Sequence, residues 1–184
     1  DISGKVLEEH PVLMEEEQAV EAVLSFLGSY EQIPPMYSAL KVNGKKLYEL
    51  ARAGKEVERA GRPVEIHRID ILSVALPEIT FRVACSKGTY IRTLCHDIGR
   101  KLGCGGTMKS LKRTRVGTFA IDDALPLGEL EKLAAEGRLE EYVIPADAMF
   151  PELPCLTIRD SFRRLLENGN SFYSNQVREE LEAV

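Results

Sequence analysis

Tyr90 and Arg92 stand at the end of Cys85-Ser86-Lys87-Gly88-Thr89-Tyr90-Ile91-Arg92, where a glycine separates two different apolar periods. The second period is helical, which puts Arg92 in the first turn of a helix. A cation there opposes the macrodipole by some tenths of a kcal/mol, so an anion is expected to compensate it. That anion is the carboxylate of a structural ion pair, a catalytic carboxylate or a phosphate. A planar guanidinium suits all three, because its fork pairs with two oxygens at once.

The elements that must position this pair are readable on either side of it. Ile79, Phe81, Val83 and Cys85 alternate with Thr80, Arg82 and Ala84, the period of a strand with one buried face. Ile91, Leu94, Cys95, Ile98 and Leu102 then recur at helical spacing, with Thr89 as the expected N-cap and Gly103 as the C-terminal stop. Arg92, His96 and Arg100 share the opposite face. A strand-to-helix junction opened by glycine is a common place to build an active site.

The whole chain bounds what such a site can serve. Its 184 residues make one ordinary domain and a remainder, and 44% hydrophobic with 29% charged residues fits a globular protein with a sizeable core. No apolar run is long enough to span a bilayer, and Asp1-Ile2-Ser3-Gly4 has no signal-peptide character, so the expected location is the cytoplasm. Cys85, Cys95, Cys104 and Cys155 form no C-x-x-C pair and are expected as reduced thiols, with no metal site.

The net charge of −5 conceals strong segregation. Residues 1–31 carry eight acids against Lys5 alone, and residues 120–152 carry nine acids against two bases. Between them, residues 41–68 hold eight bases and four acids, and residues 87–115 hold eight bases against Asp97 alone. Two basic blocks in an acidic protein point to a localised polyanion-binding surface, the alternative being solvated helix faces.

Along the chain, Glu15 to Leu27 reads as a helix with Ala19, Val23, Phe26 and Leu27 inward, stopped by Gly28. The paired prolines of Gln32-Ile33-Pro34-Pro35-Met36-Tyr37-Ser38-Ala39 enforce extended backbone, and a basic arm with one short helix near Leu47–Ala51 follows. Val64 to Leu76 reads as a strand bent or bulged between Ile66 and Ile69. Val116 to Ile121 is expected as a short strand and Leu127 to Ala135 as a helix ended by Gly137. Pro145, Pro151 and Pro154 place a domain edge near Phe150. Beyond it, Asp160 to Asn168 reads as a helix with Phe162, Leu165 and Leu166 inward and Gly169 as its stop. This last stretch is too short for a core of its own.

Other chemistries fail on their own motifs. Gly103-Cys104-Gly105-Gly106-Thr107-Met108-Lys109-Ser110 approaches a phosphate-binding loop, but the second required glycine is Met108 and the segment follows a helix rather than a strand. No serine sits in a G-x-S-x-G elbow. Tyr37, Tyr48 and Tyr90 lie among the basic blocks, where each is either a base-stacking ring or an amphipathic core residue.

Three stretches together carry a resemblance. Gln32 to Lys41, continued by Gly44-Lys45-Lys46-Leu47-Tyr48 and Ala51-Arg52, closely resembles the basic inserted arm of TruB-type tRNA pseudouridine synthases, relatives of dyskerin. Cys85 to Arg92, and Leu102-Gly103-Cys104-Gly105 through Leu111 and Arg113, resemble later catalytic-domain motifs of the same family. The resemblance covers about residues 1–150, with the basic arm at about 32–62, and residues 151–184 look like the start of an incomplete C-terminal PUA domain.

The resemblance implies an α+β fold, a mixed, mainly antiparallel sheet flanked by helices, in a monomer that isomerises a T-arm uridine of tRNA to pseudouridine without metal or organic cofactor. By the same resemblance Arg92 pairs with a catalytic aspartate, Tyr90 lines the uracil pocket and Leu111 is its apolar wall. Tyr37, Lys41, Lys45, Lys46, Lys87, Lys109 and Arg113 become the RNA-binding residues. The target base is flipped out of the loop to reach the pocket. The family's G-x-L-D-P-x-A-x-G motif has no counterpart, since no Leu-Asp-Pro occurs in these residues. The chain is therefore expected to lack the catalytic aspartate and to be inactive alone, the alternative being a non-catalytic RNA-binding module.

Overall fold

A computed structural model of the chain describes residues 1–178. The chain divides into two compact units, Asp1–Arg113 and a second that begins at Thr114. The end of the expected PUA segment, residues 179–184, lies outside the described residues.

The first unit is built on a three-stranded antiparallel sheet of order β1-β4-β5, from β1 (Gly28–Gln32), β4 (Arg62–Ala75) and β5 (Glu78–Cys85). Helices α1 (Glu16–Leu24) and α3 (Ile91–Leu102) pack with this sheet. Val23, Ile66, Ile69, Leu94 and Ile98 form the buried cluster, joined by the half-buried Phe26, Tyr30, Phe81 and Val83. Burying each such aliphatic side chain contributes roughly 1.5–3 kcal/mol, so the cluster fixes α3 against the sheet. The α+β class and the antiparallel sheet are those the resemblance implied.

Strand β5 follows its expected alternation residue by residue. Strand β4 carries the expected irregularity between Ile66 and Arg68 and a second between Ile71 and Ser73. Two readings need correction. Helix α1 ends at Leu24 rather than Leu27, because the Ser25 hydroxyl donates to the Ala22 carbonyl (2.7 Å) and the chain tightens into a turn that leaves Leu27 57% exposed. Gly28, at φ 94°, opens β1 instead of ending a helix. The N-cap position of α3 is Tyr90, not Thr89, whose hydroxyl donates to the Ser86 carbonyl (2.9 Å) and closes the glycine turn. Gly103 ends the helix in the left-handed region, as expected.

The basic arm leaves β1 and returns at β4. It contains a hairpin of β2 (Lys41–Val42) and β3 (Lys45–Lys46), then α2 (Leu47–Arg52). Asn43 and Gly44, at φ 51° and 78°, form the two-residue turn that such a hairpin demands. Leu47, 1% exposed, anchors the arm, and its N–H donates to the Leu40 carbonyl (2.8 Å).

In the second unit a single strand was expected over Val116–Ile121, and a hairpin is found: β6 (Arg115–Val116) pairs with β7 (Phe119–Ala120) around Gly117 at φ 56°. Helix α4 (Leu127–Ala135) has the expected bounds. The expected helix over Asp160–Asn168 splits into a 3-10 turn (Asp160–Phe162) and α5 (Arg163–Glu167); Leu166 is 59% exposed while Phe162 and Leu165 are half-buried. No helix among the described residues is long and apolar enough to cross a membrane.

Candidate active site at the strand-to-helix junction

After β5 ends at Cys85, the chain turns through Ser86-Lys87-Gly88-Thr89, and Gly88 takes φ 86°, a conformation side chains disfavour. This turn delivers Tyr90 to the N-cap of α3 and Arg92 to its first turn. Tyr90 is half-buried, and the Arg92 side chain is 38% exposed.

Two acceptors face the Arg92 guanidinium. Nη2 donates to the Tyr37 carbonyl at 2.9 Å, and Nη1 lies 3.9 Å from Asp1 Oδ2. The anion that a first-turn arginine calls for is thus met in part by a backbone carbonyl of the arm and in part by Asp1. Sequence reasoning did not identify Asp1, because charge pairing over 91 positions leaves no local periodicity. The Ile2 N–H donates to the Met108 carbonyl (3.1 Å), so the residue beside Asp1 is stitched to the segment that carries Lys109, Leu111 and Arg113.

Beneath Tyr90 lies a second residue the sequence reading missed. Gln32 is 1% exposed at the end of β1; its Oε1 accepts from the Tyr90 N–H (2.8 Å) and its Nε2 donates to the Tyr90 carbonyl (3.2 Å). Nε2 also donates to the Tyr30 hydroxyl. Burial pushes the Tyr30 phenol up to about 12, with the Gln32 hydrogen bond opposing the shift, so this hydroxyl is neutral near pH 7. The signal was present in the alternation Tyr30, Gln32 on the inward phase of β1.

A cavity of about 310 Å³ opens beside the junction, lined by Gln32, Pro34, Arg62, Lys87, Gly88 and Tyr90 among others. It brings Lys87 and Tyr90 together and adds Arg62 as a second cation. The other cations lie apart. Lys41 and Lys45 are exposed on the hairpin, while Lys46 and Arg52 stand 5.5 and 5.3 Å from the centroid of the Tyr48 ring. Such contacts engage Tyr48 within the arm. Tyr37 is 59% exposed and free to present its ring outward, Leu111 is 56% exposed, and Arg113 is exposed. Lys109 is paired with Glu78 at the start of β5.

The cysteines are free thiols, and burial raises the Cys95 thiol above its ordinary value, which disfavours its thiolate form. No group of three His, Cys, Asp or Glu side chains that could hold a metal ion occurs among the described residues.

Two family models match consecutive parts of the chain. The TruB family pseudouridylate synthase N-terminal domain matches residues 1–91, and the tRNA pseudouridylate synthase B C-terminal domain matches residues 92–151. The tRNA pseudouridine synthase B of Alkaliphilus oremlandii is 46% identical over 177 residues, 96% of this chain and 58% of that protein. That of Clostridium kluyveri is 45% identical over 189 residues, covering 100% of this chain and 64% of its own. The chain therefore spans about three fifths of the length of these relatives. Among solved structures, a Cbf5-Nop10-Gar1 complex matches with a TM-score of 0.66 at 26% identity, over 92% of this chain and 49% of that one. The archaeal box H/ACA sRNP Nop10-Cbf5 complex shares the fold, with a TM-score of 0.60 at 22% identity over 92% and 47%. With both halves of the junction falling inside matched domains, the chain belongs to the TruB family of pseudouridylate synthases.

Proposed function

We propose that this chain supplies the arm, the uracil-pocket side and the catalytic arginine of a tRNA pseudouridine synthase that converts one T-arm uridine to pseudouridine. The reaction breaks the bond from C1′ to N1 and forms one from C1′ to C5, while the proton on C5 is lost and N1 gains one. The observation that carries the reading is the position of Arg92, whose guanidinium meets the Tyr37 carbonyl at the root of the basic arm and the Asp1 carboxylate at 3.9 Å. A bidentate fork held at this point is suited to orient a further carboxylate against the ribose.

Tyr90 lines the pocket for the flipped uracil, and Leu111 is its apolar wall. Lys41, Lys45, Lys46, Lys87, Lys109, Arg113 and Tyr37 hold the T-arm, and Lys109 exchanges Glu78 for phosphate on binding. Flipping costs a few kcal/mol, offset by stacking and pocket contacts. No Leu-Asp-Pro occurs in these 184 residues; on this reading the aspartate that works on the glycosidic bond is supplied by another segment, and the chain alone is expected to be inactive. The enzyme works as a cytoplasmic monomer without cofactor, and residues from 151 onward begin its PUA domain.

The test is tritium release from tRNA labelled at uridine C5. The chain alone should release none, and the chain joined to the N-terminal segment of the Alkaliphilus oremlandii relative should release one tritium per tRNA from the T-arm. A joined protein that folds and binds tRNA but releases no tritium overturns the proposal and leaves a non-catalytic RNA-binding module.

A further inference from the structure

Tyr90 has a backbone problem that neither neighbouring element solves. Strand β5 stops at Cys85, and a residue at an N-cap has no helical partner for its own N–H, although its carbonyl already accepts from Thr93 and Leu94. Gln32 fills the gap from 58 positions away. Its amide copies a peptide group of an adjacent strand, with Oε1 receiving the Tyr90 N–H at 2.8 Å and Nε2 reaching the Tyr90 carbonyl at 3.2 Å.

The clasp is itself held from behind. Gln32 ends β1, its backbone is in register with Arg62 of β4, and its amide is bonded to the hydroxyl of the half-buried Tyr30. The Tyr30 ring packs edge-on against Phe26, with centroids 5.2 Å apart. A side chain 1% exposed with both amide atoms engaged has no freedom to adjust. The next residue, Ile33, opens the arm, so the same position that fixes Tyr90 also fixes the arm's root. Tyr37, four residues further along, is where Arg92 finds its carbonyl.

We infer that Gln32 is a positioning residue of the active site: its side-chain amide clasps the Tyr90 backbone and thereby sets the attitude of the Tyr90 ring and the reach of Arg92. The inference rests on the roles proposed for Tyr90 and Arg92. It assigns no contact between Gln32 and substrate.

The test uses Gln32→Met, which preserves length and volume but has neither the donor nor the acceptor, together with Gln32→Glu, which keeps the acceptor and loses the donor. In the chain joined to the relative's N-terminal segment, Gln32→Met should lower kcat about 10- to 100-fold, the loss expected of a misplacement near 1 Å. KM for tRNA should stay within about twofold, since the arm cations are untouched. Gln32→Glu should fall at least as far as Gln32→Met, because its second oxygen would face the Tyr90 carbonyl at a site 1% exposed. A role in folding alone would instead lower the melting temperature and raise KM with kcat retained, and that result overturns the inference. Amide hydrogen exchange on the 184-residue chain gives an independent reading that needs no activity. The Tyr90 amide should be protected in the parent and exchange at least tenfold faster in Gln32→Met, an increase large enough to report loss of the bond. Unchanged protection overturns the clasp even if the joined parent enzyme proves inactive, whereas lost protection with an inactive parent refutes only the proposed function.

Discussion

Replacing Gly99 by alanine tests what the glycine-rich turn after α3 is for. Gly99 is buried in α3, and a Cβ built there meets Gly105 C and Gly106 N at 2.1 Å and Gly105 O at 2.4 Å. Gly106 answers it, since a Cβ there would lie 2.3 Å from the Cys95 carbonyl and 3.0 Å from Gly99 Cα. The two backbones touch, and neither can step aside by changing a rotamer. Carbon contacts relax at about 3.5–4.0 Å, so the turn would have to retreat by more than 1 Å.

Three contributions decide the sign. Alanine is favoured over glycine inside a helix by about 1 kcal/mol. Overpacking at a rigid site costs typically 1–3 kcal/mol. The Gly105 N–H to Gly99 carbonyl bond, 3.1 Å long, would also be stretched or lost, at about 1 kcal/mol. The net is a destabilisation of about 1–3 kcal/mol, which lowers the melting temperature by about 3–10 °C in a chain of this length. Gly128→Ala is the control, because its Cβ in α4 meets nothing within 4 Å and should cost no stability. Calorimetry of the three chains, with amide exchange at Gly105, makes the comparison. A Gly99→Ala chain as stable as the parent, with Gly105 still protected, refutes the close-approach argument.

Three further outcomes are expected. Arg92→Lys in the joined enzyme should lose about 10- to 100-fold in kcat, because an ammonium cannot bridge two acceptors with one planar fork; tritium release measures it, and full activity removes Arg92 from the proposed mechanism. Replacing Lys41, Lys45 and Lys46 together by alanine should reduce the slope of log affinity against log salt by about 2–3, as three phosphate contacts would require, and an unchanged slope in tRNA titrations takes the arm off the RNA. Asp97→Asn should stabilise the chain slightly near about pH 7, by under about 0.5 kcal/mol given solvent screening. Burial holds the Asp97 carboxyl above its ordinary value, against the opposing pull of His96 and Arg100. The folded state therefore keeps a proton that the unfolded state releases first, and stability falls as pH rises through that window. The gain from asparagine should vanish below the ordinary carboxylate range; a gain that persists there assigns the effect to packing instead.

What was legible in the sequence was whatever repeats locally. The alternation of β5 and the helical spacing of α3 come from burial of one face, and burial leaves a period; α4, with no buried residue, is bounded instead by Pro126 before it and Gly137 after it. Asp1 left none, and Gln32 left only its place on the inward phase of a five-residue strand. Asp1 meets Arg92 across 91 positions through one ion pair, and Gln32 meets Tyr90 across 58 through two hydrogen bonds, and neither partner is announced by local spacing. The hairpin turn at Asn43-Gly44 was a local signal, but strands of two residues are too short to show alternation around it.

Gly103-Cys104-Gly105-Gly106 illustrates the opposite case, a signal present but ambiguous. Glycines and a following Lys-Ser suit a phosphate cradle as well as a tight turn. The geometry separates the two: Gly103 and Gly105 take left-handed angles of 77° and 75°, and Gly106 lies against α3. A glycine whose missing side chain is already occupied by another backbone cannot admit a phosphate at the same place. The turn's glycines are thus spent on bringing the chain back across the helix that carries Arg92, which is how the segment through Lys109, Leu111 and Arg113 reaches the residue beside Asp1.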